Sequence, residues 1–509
     1  MKGSTLPRLY TPPLLGRRED AGIRPGCSCR CGLSPATSRG FEVIRWAQRI
    51  GIKLHPWQRW LLVHALELDE TCTRYRFRTV LVLVARQNGK TLLKMVLTLW
   101  RLYECDDRLI VGTAQDRAQA KEVMNQGLVP LMLDNPVLRE RFDPSAGDPA
   151  DRVGIWHKTL GEEHFRLDSE FGPRYLIKAL NRGAGRGLWD VREINIDELR
   201  EQTDFAGWSA ISKVAMAAGP WAQIWCTSNA GDRTSLLLNH LRGISLGGGD
   251  PSLFHAEWSA TEEAGYELDS PEWAQANPSL GYPGGPTIEA IRSSFRTDPP
   301  AVFRTEVLCQ FVDAMNAAVD MPAWQAGEDP SVPLSERPVF CVEASPDSCM
   351  HVTAVAASRL TDGRLRVARV GAWHDTMAAR AEIWDLVDRL RPSVIGWFPT
   401  GPGAVLSATM RKLRPTPVAI KGAAVAEACM TLADQVRHRR ILQPGDPLLD
   451  EHIARTNRIG SKSSWIFDRA SIEPIDGAFA VAGAVHLALN AKPRRARRRI
   501  IVAPEGNAA

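Results

Sequence analysis

A chain of 509 residues is too long for one ordinary domain and calls for about two to four. Its 44% hydrophobic and 24% charged residues are ordinary for a globular protein, and a net charge of +5 does not by itself announce a nucleic-acid binder. No run of eighteen apolar residues occurs, and the N-terminus has charges but no apolar signal core, so a membrane span and a secretory signal are both excluded as expectations.

Residues 1–40 are rich in Pro, Gly, Arg and Ser without a period and read as a flexible leader. Inside it lies Gly26-Cys-Ser-Cys-Arg-Cys-Gly32. Its three alternate thiols, Cys27, Cys29 and Cys31, lack the usual CxxC spacing and a fourth partner, so they read as leader rather than as a metal site. Single cysteines in apolar strands, such as Cys226 and Cys341, read as reduced core residues.

A helical pattern begins near Phe41 and runs through Trp60 and His64, broken around 51–56. In Leu54-His-Pro-Trp-Gln58, the Gln58 amide suits an adenine edge, while Trp57 reads as core. Strands and helices then alternate: a buried strand over 79–84, a helix over 91–103, a strand over 108–112, a helix over 114–133, and strands over 174–179, 193–196 and 223–226. Apolar strands between helices predict a parallel sheet covered on both faces.

Val84-Ala-Arg-Gln-Asn-Gly-Lys-Thr91 stands directly between the first strand and its helix, the context a phosphate-binding loop requires. Gln87, Asn88 and Gly89 would cradle phosphate oxygens, Lys90 would reach the β- and γ-phosphates, and Thr91 would hold Mg²⁺. Val84 replaces the first glycine of the standard loop. Arg192-Glu-Ile-Asn-Ile-Asp-Glu198 is an apolar strand ending in two acids, with Asp197 suited to Mg²⁺ and Glu198 to polarising the attacking water. Ile224-Trp-Cys-Thr-Ser-Asn229 ends in small polar groups, so Asn229 is a candidate sensor of the γ-phosphate.

Residues 315–338 hold several Pro, Ala, Glu and Asp and read as a linker between a 41–314 domain and a 339–490 domain. The second domain reads as three strands (339–343, 351–357, 365–371), a helix over 377–390, a strand over 393–397, a helix over 403–413, a strand over 417–420 and a helix over 424–437. That is the order of an RNase H-like core. Residues 491–509 form a basic tail containing Lys492-Pro-Arg-Arg-Ala-Arg-Arg-Arg499, a solvated tail or a DNA contact.

Together Gln58, Ala85-Arg-Gln-Asn-Gly-Lys-Thr91, Ile196-Asp-Glu198 and Thr227-Ser-Asn229 resemble the large terminase subunit of tailed bacteriophages. The resemblance implies an α/β protein: an ASCE-type P-loop ATPase with a parallel sheet, followed by an RNase H-like nuclease. It assigns Arg86 to the deviant phosphate loop. It also makes Arg186, in Asn181-Arg-Gly-Ala-Gly-Arg-Gly187, the arginine that acts on a neighbouring subunit's ATP, with Arg182 second. For the nuclease it implies carboxylates around two metals, Mg²⁺ or Mn²⁺: Glu343 on the first strand, Asp347 just past it, and Asp476 opening the last helix. The family's next acid is missing from Val394-Ile-Gly-Trp-Phe-Pro399, so Glu427 is the candidate replacement, with Asp468 and Glu473 in reserve.

The implied activity is ATP-driven translocation of double-stranded DNA into a procapsid and metal-dependent cutting of concatemeric DNA. Implied partners are the portal protein, the small terminase subunit and a homo-oligomeric ring, expected to be a pentamer. The implied location is the host cytoplasm, docked at the procapsid portal. Two other readings stay open: a helicase-like ATPase or DNA repair nuclease, and a packaging ATPase whose nuclease has decayed.

Overall fold

A computed structural model describes residues 1–14, 29–114, 117–159, 163–261, 264–312, 317–345, 351–461, 463–469 and 474–491. The chain divides into two compact units, Met1–Met315 and Asn316–Ala509. Among the described residues no helix is long and apolar enough to cross a membrane.

The first unit is built on strands β1 (Leu9–Tyr10), β2 (Thr79–Val84), β3 (Leu109–Ala114), β4 (Ile155–His157), β5 (His164–Arg166), β6 (Arg174–Ala179), β7 (Val191–Ile196), β8 (Gln223–Ser228) and β9 (Leu253–Trp258). They form one sheet in the order β1-β9-β2-β8-β7-β3-β6-β5-β4. From β9 to β6 every pairing is parallel. The alternation of β2 shows why both faces must be covered: Val80, Val82 and Val84 join one core with Trp57, Trp100 and Trp258, while Leu81 and Leu83 join another with Ile194, Ile196 and Leu237. β8 lies between β2 and β7, which places the phosphate loop and the acidic strand two strand spacings apart, about 10 Å.

Two boundaries differ from the expectation. Leu9 and Tyr10 are not free leader: they add as an antiparallel edge strand to β9. Gly3 and Ser4 bond to the carbonyls of Leu280 and Ala274. Edge pairing satisfies backbone groups without needing an apolar run, so composition gave no sign of it. Likewise, most of the expected 315–338 linker packs into the second unit. A short helix, Met321–Gln325, buries Trp324, whose indole donates to Asp450 at 2.7 Å.

The second unit's main sheet comprises β10 (Val339–Ala344), β11 (Val352–Arg359), β12 (Leu365–Trp373), β13 (Val394–Trp397), β14 (Val418–Ala419) and β15 (Ile441–Leu442), in the order β14-β13-β10-β11-β12-β15. β10, β11 and β12 pair antiparallel, and β13 pairs parallel with β10 and then with β14. This is the strand order of the RNase H-like core. β16 (Arg458–Ser461) and β17 (Ser464–Phe467) make a separate hairpin. The helix Asp476–Asn490 is apolar almost all round and lies in the core with Val339 and Cys341. Period-2 alternation puts Glu343 on that same face of β10, toward the helix that Asp476 opens.

Candidate functional site

In the first unit a cleft of about 640 Å³ opens over the C-terminal ends of the parallel strands, where open α/β sheets bind ligands. Its lining includes Arg86, Gln87, Gly89, Lys90, Thr91, Lys94, Asp197 and Glu198. The loop after β2 turns sharply, with Gln87 at φ 61 and Gly89 at φ 87, and enters the helix Lys90–Glu104. The left-handed backbone favours glycine at 89, where a Cβ would also lie 2.9 Å from the Gln58 amide nitrogen.

Lys90 and Lys94 lie one turn apart on one helix face. Both are buried. Lys90 Nζ donates to the Val84 carbonyl at 3.0 Å, folded back over its own loop. Burial lowers its pKa, against the pull of Glu198 and Asp197. Lys94 Nζ pairs with Asp197 at 2.5 Å. Thr227, on the intervening β8, donates to the other Asp197 oxygen at 2.7 Å. Burial alone would raise the Asp197 pKa, but Lys94 and Thr227 outweigh it and hold the group at about 2. Asp197 is therefore a fixed anion, the form a hard cation needs. Glu198 sits at φ 48, ψ 52, a strained left-handed conformation that turns it off the end of β7 toward the cleft. Lys94 was not anticipated, although its spacing of four from Lys90 on a predicted helix was visible.

Three of the expected ligand residues also brace the loop. Gln58 does not present its amide to a base: Oε1 accepts from His55 N–H at 2.8 Å, and Nε2 donates to the Gly89 carbonyl at 3.0 Å. The Asn88 side chain turns inward, donating to Ala85 O, Arg86 O and Asn277 Oδ1 while accepting from Ser279 N–H. Asn229 Nδ2 donates to Glu306 at 3.1 Å. Each of these amides donates to protein oxygens around the loop, while Asn88 also lines the cleft and the Asn229 Oδ1 finds no partner among the described residues.

Glu306 is a hub that sequence patterns did not reveal. Its carboxylate pairs with Arg86 at 2.5 Å and Arg200 at 2.7 Å, and its carbonyl accepts from Arg86 N–H at 2.9 Å. Arg200 in turn reaches Glu198 at 3.8 Å, and its N–H bonds to Ser228. The Thr227-Ser-Asn229 end of β8 thus touches Asp197, the backbone after Glu198, and the Arg86 partner. Arg182 and Arg186 are exposed and do not line the cleft.

In the second unit Glu343 and Asp476 are both buried, and the Asp476 charge acts on Glu343. Burial pushes the Glu343 carboxyl up to about 7, opposed by Arg469 and reinforced by Asp476. Arg469 donates to Glu343 Oε2 at 2.8 Å and lies over the Phe479 ring at 3.8 Å. The turn after β13 closes on the site: a Cβ on Gly403 would lie 2.4 Å from Glu343 Oε1. His452 Nδ1 accepts from Gly477 N–H at 2.9 Å and lies 3.6 Å from Asp476. Burial lowers His452 to about 4, so it is neutral. Carboxylates are the oxygen donors a divalent cation prefers, but the ligand atoms of Glu343, Asp476 and His452 do not converge within 4.8 Å of one another. Arg469 occupies one flank of Glu343.

Glu427 does not join them. Its exposed carboxylate lies 3.9 Å from His486, ten residues and about 15 Å along the helix from Asp476. It fails because its side chain projects outward from the Ala423–Arg437 helix and stands exposed beside His486. Phe398, where the resemblance places an acid, is core, edge-on to Phe479 at 5.5 Å. Asp468 hydrogen-bonds through its backbone to Asn457. Asp347, Glu473, Cys27 and the basic tail beyond residue 491 lie outside the described residues.

No family model and no curated protein matches the chain. Among solved structures, it is similar to the HK97 bacteriophage large terminase at 19% identity and TM-score 0.48, over 89% of this chain and 100% of that one. It is also similar to a large terminase from a thermophilic bacteriophage, at 11% identity and TM-score 0.35, over 90% and 99%. Its similarity to the large terminase nuclease of thermophilic phage G20c with bound magnesium is 13% identity and TM-score 0.26, over 34% and 97%.

Proposed function

We propose that the chain is a DNA-packaging motor of the phage large-terminase type, which hydrolyses ATP with Mg²⁺ to drive double-stranded DNA into a procapsid and cuts concatemeric DNA with its second unit. The observation that carries the motor reading is the convergence of Lys90, Lys94, Asp197 and Glu198 over the ends of β2 and β7. The Gly89 turn and the helix N-terminus behind it supply N–H groups for phosphate oxygens. Lys90 is the cation free to turn to the phosphates, because its present acceptor is a neutral carbonyl at the end of β2 that a phosphate oxygen would outcompete. Thr91 and Asp197 are the residues that would hold Mg²⁺, which screens the phosphate charge when bound. Glu198 orients the attacking water and accepts its proton. Lys90→Ala and Glu198→Gln should each lower ATP turnover at least about a hundredfold with the circular dichroism unchanged. Turnover within threefold of wild type in either would sink the assignment.

Arg186 belongs, in this reading, to the neighbouring subunit's site in a homo-oligomeric ring, a pentamer docked at the portal in the host cytoplasm with the small subunit delivering DNA. Its exposure, away from its own cleft, supports that role over one in cis. Mixing Arg186→Ala chains with Lys90→Ala chains should then restore part of the lost turnover at some ratios. An intact mixed assembly with no recovery at any ratio would place the arginine elsewhere.

The second unit supports two readings. Glu343 and Asp476 favour a metal-dependent nuclease, with Mg²⁺ or Mn²⁺ as the implied cation. The Arg469 ion pair on Glu343, Phe398 where an acid was sought, and the remoteness of Glu427 favour a packaging ATPase with a decayed nuclease.

A further inference from the structure

We propose that Cys29, Cys31 and His64 form a zinc site that ties the N-terminal leader to the helix Pro56–Ala65. His64 Nε2 lies 3.3 Å from Cys29 Sγ and 3.5 Å from Cys31 Sγ, and the three ligand atoms lie within 4.8 Å of one another. Zinc–sulfur bonds of about 2.3 Å and zinc–nitrogen bonds of about 2.0 Å, at tetrahedral angles, make a sulfur–nitrogen edge of about 3.5 Å. The two contacts are therefore already the edges of a zinc tetrahedron. A cation at the point where the three atoms converge bonds all of them.

The histidine is held for this task. Its ring is buried, stacked on Trp60 at 3.9 Å and 20°, and met edge-on by Tyr10 at 6.3 Å and 82°. Between the two cysteines Arg30 has φ 59, and Gly32 follows at φ 88, so the chain turns as it presents both sulfurs to the ring. Thiolate and imidazole donors select Zn²⁺ over Mg²⁺, which prefers oxygen, so this site is chemically distinct from the nucleotide cleft. Among the described residues three donors converge, and a tetrahedral zinc takes a fourth. The site's role is structural. It fastens the leader, whose Leu33 is buried, to the helix that also carries Gln58, the brace of the phosphate loop.

The test uses the full chain, purified without chelators and assayed for zinc by atomic emission. About one zinc per chain is expected, with an organomercurial releasing it to a metallochromic indicator. Replacement by Co²⁺ should give a sulfur-to-cobalt charge-transfer band. Cys29→Ser and Cys31→Ser should each lose the zinc, and Cys72→Ser, an exposed thiol outside the cluster, should keep it. Should the serine variants fold poorly, the Co²⁺ spectrum of the unmodified chain decides alone. Absence of both zinc and the charge-transfer band would overturn the proposal, and so would zinc retained by a folded Cys29→Ser, Cys31→Ser double variant.

Discussion

Glu343 shows what burial does to a single carboxylate. It ends an apolar strand with no water to solvate it, so its proton is held until about pH 7 in spite of Arg469. Its position was legible, because an acid inside Val339-Phe-Cys-Val-Glu343 breaks an otherwise apolar run. Its counter-ion was not, because Arg469 arrives from 126 residues away. If the second unit is a nuclease, Glu343→Ala and Asp476→Ala should each abolish Mn²⁺-dependent nicking of supercoiled plasmid while ATP hydrolysis stays within twofold of wild type. If it is a decayed nuclease, the unmodified chain will not nick at all at any Mn²⁺ or Mg²⁺ concentration. Nicking that survives both substitutions would move the metal site away from β10 and the last helix.

Among elements, β2 was readable because a continuous apolar run ends in the phosphate loop, and β7 because two adjacent acids, Asp197 and Glu198, follow it, although Arg192, Glu193 and Asn195 interrupt the strand itself. β9 was not, because His255 and Glu257 interrupt Leu253-Phe-His-Ala-Glu-Trp258 and disguise a fully buried strand. The helix Pro56–Ala65 was legible as an element, but the brace its Gln58 makes to the phosphate loop was not. Its Gln58 ties the helix N-terminus to the phosphate loop by two hydrogen bonds, one closing the helix's own cap at His55. Removing that amide leaves the Gly89 carbonyl with only the Leu93 N–H as donor and should loosen the loop rather than delete a nucleotide contact. Gln58→Ala should therefore lower kcat for ATP about tenfold or more and leave selectivity for ATP over GTP unchanged. A collapse of that selectivity with kcat preserved would return Gln58 to the adenine edge.

At the scale of the first unit, the question is what holds residue 8 to residue 257. Glu257 is buried beneath the N-terminal edge strand, where Arg8 donates to it at 2.7 Å and Arg242 at 2.7 Å, with Ser259 at 2.6 Å and His255 at 3.5 Å. Burial alone would raise this carboxyl, but the hydrogen bonds from His255 and Arg242, with Ser259, outweigh it and hold the group well below the usual carboxylate range. The folded pKa is depressed, so the stabilisation is complete above the unfolded value of 4.5 and drains away as pH falls through the folded one. Glu257→Gln leaves two partly buried arginines facing a neutral amide and should cost about 3 kcal/mol at neutral pH. The melting temperature of the first unit should drop accordingly at pH 7. The gap to wild type should narrow steadily below about pH 4, because the unfolded carboxyl takes up its proton there while the native one still holds its charge. A gap that stays constant from neutral to acid pH would mean that shape rather than charge holds the N-terminal strand on β9.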